Sequence, residues 1–283
     1  MQTILKGKTK VVTIDTDSAM TVIGESINPT RRKKLISAFT DRQYDYVLEL
    51  ADSQIAAGAD VLDINVGVPG IDEPAVMREV VTAVANHVNV PLCLDSNDPK
   101  TLAAGLAAAV GRPLVNSVNG EEKSLAAILP VVREFGVPVI GLVIDDDGIS
   151  MDPQKRLAIA AKIIERAAQL GIPIEDIVID PLAMAISADH GGGAVTLRTI
   201  DLIHRELGVN MTLGVSNVSF GLPERPVINK AFMALVMQMG VSCAITNPVE
   251  LTSTIRAVDL LLGRDEYSMR YIKHYRATQK AQG

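Results

Sequence analysis

The sequence predicts a (β/α)8 barrel in one domain spanning residues 1–283, and three observations carry that expectation. Apolar runs rich in Val and Ile alternate with Ala/Leu/Glu-rich runs of helical period from residue 21 onward. The apolar runs are continuous rather than alternating, which marks parallel strands buried on both faces. Eight strand–helix pairs can be counted, the number that closes a barrel. An open doubly wound sheet is the competing architecture. It usually carries a Gly-rich turn after its first strand, and here that turn reads ESINPTRRK, with no G-x-G-x-x-G or Walker pattern.

The strands are expected at 21–27, 60–66, 90–95, 113–118, 138–145, 176–180, 211–217 and 242–246. The helices between them are punctuated by polar caps, early prolines and terminal glycines. Thr40 or Asp41 is read as the cap of a helix over 42–57 that ends at Gly58. Asp72 precedes 73–87, and Asp98 with Pro99 opens 99–110 before Gly111. Residues 121–135 stop at Gly136, and Asp152 with Pro153 opens 153–170. The last three helices, 195–207, 226–239 and 249–262, each end at a glycine. Residues 1–20 are read as a hairpin closing the bottom of the barrel, and 264–283 as a basic, partly helical tail.

Composition narrows the function classes. A chain of 283 residues that is 48% hydrophobic can build one large core. The net charge is −6, Trp is absent and aromatics are 3%, so stacking and phosphate-tracking surfaces are not expected and nucleic acid is set aside as a partner. No run is long and apolar enough for a membrane span, and the N-terminus does not resemble a signal peptide. Cys93 and Cys243 sit inside apolar runs and read as buried free thiols, which fits a cytoplasmic location. Two Cys and four scattered His offer no metal-ligand spacing.

In a (β/α)8 barrel the active site lies at the C-terminal strand ends. Read in order, those ends carry Glu25, Asn28, Asp63, Asn65, Asp95, Asn116, Asn119, Asp145, Asp180, Asn217 and Asn247. They are acids and amides, without cations, so Schiff-base lysine chemistry is not expected. Many such residues merely cap the next helix. Asp95, Asp180 and Asn217 are poor caps, because a better cap or a long stretch separates each from the next helix. A set of carboxylates and amides suits a flat, neutral heterocycle that offers adjacent donors and acceptors. A pterin fits, since its 2-amino group and N3–H can donate together to one carboxylate. Composition alone does not select pterin over purine or pyrimidine.

Six segments then carry a resemblance. GESIN (24–28), LDINVG (62–67), CLDS (93–96), VNS (115–117), VIDPL (178–182) and GVSNVSFGLPERPVIN (214–229) fall in order at successive strand ends. Together they resemble the pterin-binding methyltransferases, which include methyltetrahydrofolate:corrinoid methyltransferases and the folate barrel of cobalamin-dependent methionine synthase. The resemblance runs from about residue 21 to about 262. It implies a barrel that binds tetrahydrofolate or 5-methyltetrahydrofolate and exchanges a methyl group with a corrinoid. By that resemblance Asp95, Asn116 and Asp180 hydrogen-bond the pterin, and Asn217 sits beside N5 as the catalytic residue. Asp63, Asn65, Ser219 and Arg225 complete the expected binding set. Arg225 has an equally weighted surface alternative, a salt bridge near Glu224, and Phe220 is left as either a pterin contact or rim packing.

No D-x-H-x-x-G corrinoid signature occurs, since Asp189-His190-Gly191-Gly192-Gly193 has another spacing. The cobalamin is therefore expected free or on a separate corrinoid protein. The resemblance also implies a homodimer. Dihydropteroate synthase is the nearest competing enzyme. The loop NVGVPGIDEP (65–74) and the Ser216-Asn217-Val218 segment lack the cations that its pyrophosphate chemistry uses. A folate-binding subunit without turnover is the non-enzymatic alternative. The direction of methyl transfer stays open, with donation from a methylated corrinoid to tetrahydrofolate slightly preferred.

Overall fold

The computed structural model describes residues 1–282; Gly283, the end of the expected tail, lies outside the described residues. Two antiparallel strands, β1 (Gln2–Lys6) and β2 (Val11–Asp15), open the chain as a hairpin. Seven parallel strands follow: β3 (Thr21–Ile27), β4 (Val61–Asn65), β5 (Leu92–Asp95), β6 (Leu114–Asn119), β7 (Val139–Leu142), β8 (Ile177–Asp180) and β9 (Cys243–Thr246). They pair in the order β8-β7-β6-β5-β4-β3-β9.

The gap between β8 and β9 is closed by residues 211–214. Parallel bridges join Ile179 to Met211 and Gly214 to Ile245. The Thr212 N–H donates to the Ile179 carbonyl at 2.9 Å, and the Ile245 N–H to the Leu213 carbonyl at 3.0 Å. This corrects the strand expected over 211–217. The segment makes isolated bridges only, and Val215–Ser219 coils into a 3-10 turn before a ladder can extend. The barrel expectation itself holds.

Ten helices surround the ring: α1 (Lys33–Thr40), α2 (Asp45–Ala56), α3 (Glu73–His87), α4 (Pro99–Ala108), α5 (Glu122–Phe135), α6 (Pro153–Gln169), α7 (Gly192–Glu206), α8 (Arg225–Gln238), α9 (Pro248–Leu261) and α10 (Met269–Gln282). The Asp72, Asp98, Asp152 and Asn247 carboxyl or amide oxygens accept from backbone N–H groups of the first turns, as N-caps do. Thr40 and Asp41 do not cap α2. They end α1, a helix not expected from the sequence, and the chain breaks at Arg42 with φ at 54°. No helix among the described residues is long and apolar enough to cross a membrane.

The barrel interior starts as an apolar layer. Ile23, Val61, Cys93, Leu114, Ile140, Val178 and Cys243 each come from one strand, and Leu5, Val12 and Ile14 of the hairpin pack against them from below. The two thiols are free and buried, and burial pushes Cys243 up to about 12. The hairpin is stitched on by reciprocal bonds, Lys6 N–H to the Arg112 carbonyl at 2.9 Å and Arg112 N–H to that of Lys6 at 2.7 Å. At Gly7 an added Cβ would stand 2.3 Å from the Val90 carbonyl carbon, so only glycine lets the plug sit this close. The hairpin thus covers the lower end of the barrel.

Candidate active site

A strand turns successive side chains to opposite faces, so the next inward position lies two residues beyond the apolar layer. Those positions are Glu25 after Ile23, Asp63 after Val61, Asp95 after Cys93, Asn116 after Leu114 and Asp180 after Val178. All five line one cavity of ≈ 520 Å³ at the C-terminal mouth of the barrel, with Ile245 of β9 as its apolar wall. The strand period alone therefore converts an apolar floor into a ring of four carboxylates and an amide.

Amides hold two of the acids in place. The Asn116 Nδ2 donates to Asp63 Oδ1 at 3.1 Å, and the Asn65 Nδ2 donates to Asp95 Oδ2 at 2.9 Å. Asn65 is itself oriented, because its Oδ1 accepts from the Gly67 N–H at 2.8 Å. Burial, and then the nearby Asp95 charge, raise Asp63 well above the carboxylate range; burial raises Asp95 as well. Asp180 accepts from the Leu182 N–H at 2.8 Å, yet burial still lifts it to about 7. Burial also raises Glu25, against the opposing pull of Arg32. Burial thus favours the protonated form of each acid in the ring.

Behind Asp180 stands Arg156, fully buried on α6. Its guanidinium donates to the carbonyls of Ser150, Pro181 and Leu182 at 2.7, 3.0 and 2.9 Å. It fixes the loop that leaves β8 and lowers the field at Asp180 without an ion pair at contact distance. On the opposite side, Gln54 Oε1 accepts from the Ser26 N–H at 2.8 Å. That bond sits at the register irregularity of β3, next to Glu25.

Asn217 rides on the 3-10 turn over the mouth and is exposed. Its side-chain amide makes no hydrogen bond among the described residues. It lies over Gly214, where an added Cβ would stand 2.9 Å from Nδ2. Arg225, at the start of α8, grips the same turn: Nε donates to Ser219 Oγ at 3.0 Å and Nη2 to the Ser216 carbonyl at 2.8 Å. The rim is completed by Phe220, with the Arg31 guanidinium 5.1 Å and the Arg225 guanidinium 6.0 Å from its ring centroid.

Six of the expected site residues, Asp63, Asp95, Asn116, Asp180, Asn217 and Arg225, thus share one cavity. Asn65 instead lines a smaller neighbouring cleft and orients Asp95. Ser219 is fully buried and faces Arg225. No pairing of Arg225 with Glu224 is formed among the described residues. Asn119, Asp145 and Asn247 serve local turns and a helix cap. Arg225 is the one cation the sequence placed in the site, and Arg31 and Arg32 join it in lining the cavity. Arg31 and Arg32 come from the loop after β3 and not from a strand end, so a survey of strand ends passed over them. Arg156 gave no sequence signal, since a lone arginine inside an amphipathic helix looks like a solvated face.

The raised pKa of Asp180 has a measurable consequence. An unfolded aspartate titrates near ~3.9, whereas the native one holds its proton to about 7. Through that window the native state carries the extra proton, so this group's contribution to stability falls as pH rises. Asp180→Asn should therefore gain thermal stability over the parent between pH 4 and 7 and hold a constant advantage above that. Each kcal/mol relieved should read as about 2–4 °C in Tm. A pH-independent difference between the two melting curves would contradict the assignment.

Comparison with known proteins agrees with this arrangement. Residues 24–247 match the family model described as pterin binding enzyme. The chain is 30% identical over 266 residues to a methylcorrinoid:tetrahydrofolate methyltransferase of Eubacterium limosum, covering 91% of this chain and 96% of that protein. It is 33% identical over 244 residues to methionine synthase of Mycobacterium tuberculosis, covering 82% of this chain but only 20% of that larger protein. Among solved structures, Yersinia pestis dihydropteroate synthase superposes with a TM-score of 0.73 at 19% identity, over 93% of this chain and 99% of that one. The Xanthomonas albilineans dihydropteroate synthase bound to 7,8-dihydropteroate gives 0.67 at 21% identity, over 88% and 95%. Those two likenesses concern the fold. The family match spans most of the barrel, mouth included, and the chain belongs to the pterin-binding enzymes.

Proposed function

We propose that this protein moves a methyl group from a methylated corrinoid to N5 of tetrahydrofolate. The observation that carries the proposal is the ring of buried acids and Asn116 below an unpaired Asn217 amide. A pterin presents several N–H donors on one edge, and carboxylates are the acceptors that use them best. Asp63, Asp95, Asn116 and Asp180 would hold that edge, with Asn65 keeping Asp95 in place and Arg225 and Ser219 keeping the turn in place. The similarity to the E. limosum enzyme, across nearly the full length of both chains, supports the same direction of transfer.

The corrinoid, free or carried by a separate corrinoid protein, supplies the methyl group when it docks over the mouth. The fit rests on access: Asn217 and Phe220 are exposed at an open rim, so a bulky partner can approach the pterin face. The chain's own residues do the rest. The acid–amide ring orients the pterin so that N5 faces the rim. Asn217 offers an amide that can accept from N5–H or donate to its lone pair as charge changes there. As the new C–N bond forms, the methyl–corrinoid bond would break with its electron pair leaving on the corrinoid, and the N5 proton would pass to an ionised Glu25 or to water at the open rim, Asp180 staying on the pterin's N–H edge. A homodimer in the cytoplasm belongs to the same proposal and rests on the family resemblance.

One specific observation favours a second function. The rim arginines form an anion site, which a pterin diphosphate could also use, so dihydropteroate synthesis is the alternative. Release of pyrophosphate from a dihydropterin diphosphate with p-aminobenzoate would support it. A folate-binding subunit without turnover is separated by spectroscopy: methylcobalamin mixed with the protein and tetrahydrofolate should lose its alkyl-cobalt absorption as 5-methyltetrahydrofolate forms. Tetrahydrofolate binding without any such change, with free methylcobalamin or with methylated corrinoid proteins of the same cell, would leave only the binder.

Asn217→Ala should lower the single-turnover methyl-transfer rate by about tenfold or more, with a smaller effect on tetrahydrofolate affinity. Gly214→Ala should do the same without touching the amide itself, because its Cβ displaces Nδ2. Its backbone φ of −76° suits alanine, so stability should stay within about 0.5 kcal/mol. Parent-like rates for both variants would remove Asn217 from the chemistry.

A further inference from the structure

A surface helix ordinarily packs through an apolar stripe. The tail helix α10 does the reverse. The residues it turns to the barrel, Arg270, Lys273, His274 and Ala277, follow the i, i+3, i+4, i+7 spacing of one helix face and bring two cations and an imidazole. Met269, Ile272 and Tyr275 stay exposed. Between that face, the C-terminal end of α2 and the start of β4 lies a cleft of ≈ 300 Å³. Lys10 of the hairpin, Asp60 and Arg256 also line it, and it shares no residue with the cavity at the mouth.

The cleft is short of negative charge. Lys10, Arg256 and Arg270 converge on the carboxylate of Asp60, at 3.1, 3.6 and 3.7 Å. Arg256 is buried, yet its nearest acceptors, the Met20 carbonyl and Asp259, stand at 3.3 and 3.4 Å. A well-formed charged hydrogen bond measures about 2.7–2.9 Å. Lys273 forms no ion pair or side-chain hydrogen bond among the described residues, and the buried Nη1 of Arg264, which also acts on Asp259, has no partner among them. The carboxylates that face these cations, Asp60, Asp259 and Asp265, already accept from backbone N–H groups of Val22, of Met20, and of Arg270 and Tyr271. The C-terminal end of α2 adds only partial negative charge. Burial, and then the Arg256 charge, lower Arg270, as expected of a cation among cations. Lys10, Arg256, Arg264, Arg270 and Lys273 thus outnumber the carboxylates by a dianion's worth of charge. A phosphate ester carries about −1.5 to −2 at pH 7, and guanidinium and ammonium groups are its usual partners. We propose that this cleft binds phosphate or a phosphate monoester, held by Arg270 and Lys273 of α10 and by Lys10 of the hairpin, and that the anion clasps the tail helix to the barrel wall.

Titration of the full chain with inorganic phosphate tests it, with glycerol phosphate and chloride of matched ionic strength alongside. Phosphate at about ten times its calorimetric Kd should raise the Tm of the parent by about 2–4 °C, and chloride should not. Hydrogen exchange should slow in α10 and stay unchanged in Val215–Ser219. Lys273→Gln, at an exposed position, should weaken phosphate by about threefold or more. Lys273→Glu supplies negative charge of its own, so it should melt above the parent in phosphate-free buffer and no longer respond to phosphate. Glycerol phosphate that binds at least as tightly identifies a phosphate ester as the occupant, and its exclusion identifies the free ion; both support the site. A parent indifferent to millimolar phosphate, or a Lys273→Glu that melts below the parent in phosphate-free buffer, would overturn it. A phosphate response lost in Arg31→Ala but kept in Lys273→Gln would place the anion at the mouth and overturn it as well.

Discussion

Asp63 and Asp95 stand on adjacent strands at the top of the barrel interior, and the side chains that reach them are amides. Two carboxylates this deep cannot both ionise cheaply without a cation in contact. The pair is therefore incomplete as it stands, and it is completed best by a ligand that brings N–H donors while remaining neutral. That constraint organises the site. It explains why Asn65 and Asn116 lie at these register positions, where a donor can hold each acid without neutralising it. It also fits the placing of the cavity's arginines at the rim, away from the acidic floor.

Such a floor needs a rigid frame, and the frame is visible at each side. The hairpin plug seals the barrel below, with its apolar side chains stacked under one residue from each strand. Buried Leu5, Val12 and Ile14 each contribute about 1.5–3 kcal/mol by leaving water, which anchors the plug firmly. Arg156 ties down the loop beyond Asp180 through three backbone carbonyls. Arg225 ties down the turn that carries Asn217. The residue proposed for chemistry thus has a side-chain amide without a hydrogen-bond partner among the described residues, on a turn that Arg225 holds through Ser219 and the Ser216 carbonyl.

Much of this could be read from the residues themselves. Continuous Val/Ile runs announced a parallel barrel, and the period of two places Glu25, Asp63, Asp95, Asn116 and Asp180 in one layer above the apolar floor. The hairpin and the helix caps Asp72, Asp98 and Asp152 were equally plain, because an aspartate followed within two residues by proline has one strong local solution. The remainder depended on tertiary context. Residues 211–217 look like a strand by composition, but Gly214 and the polar Ser216 and Asn217 favour a turn once only isolated bridges to β8 and β9 are available. The helix Lys33–Thr40 hid in a cationic loop, since its stabilisation comes from burying Leu35, Ala38 and Phe39 and not from its own caps. Arg31, Arg32 and Arg156 were invisible for a related reason. A cation's role is set by what the fold brings to it, and sequence spacing does not encode that.

The claim that the floor is an acceptor site for a pterin has a direct thermodynamic signature. Asp180 holds its proton to about 7, and Asp63 is raised with it. A ligand that donates N–H groups to these carboxylates must favour their ionised forms and expel protons. Calorimetric binding of tetrahydrofolate at pH 6, repeated in buffers of different ionisation enthalpy, measures that release. The account predicts net release of protons at pH 6 that shrinks as pH rises above 8, with affinity increasing across the same window. Binding that takes up protons at pH 6, or binding heats that do not depend on the buffer, would contradict it.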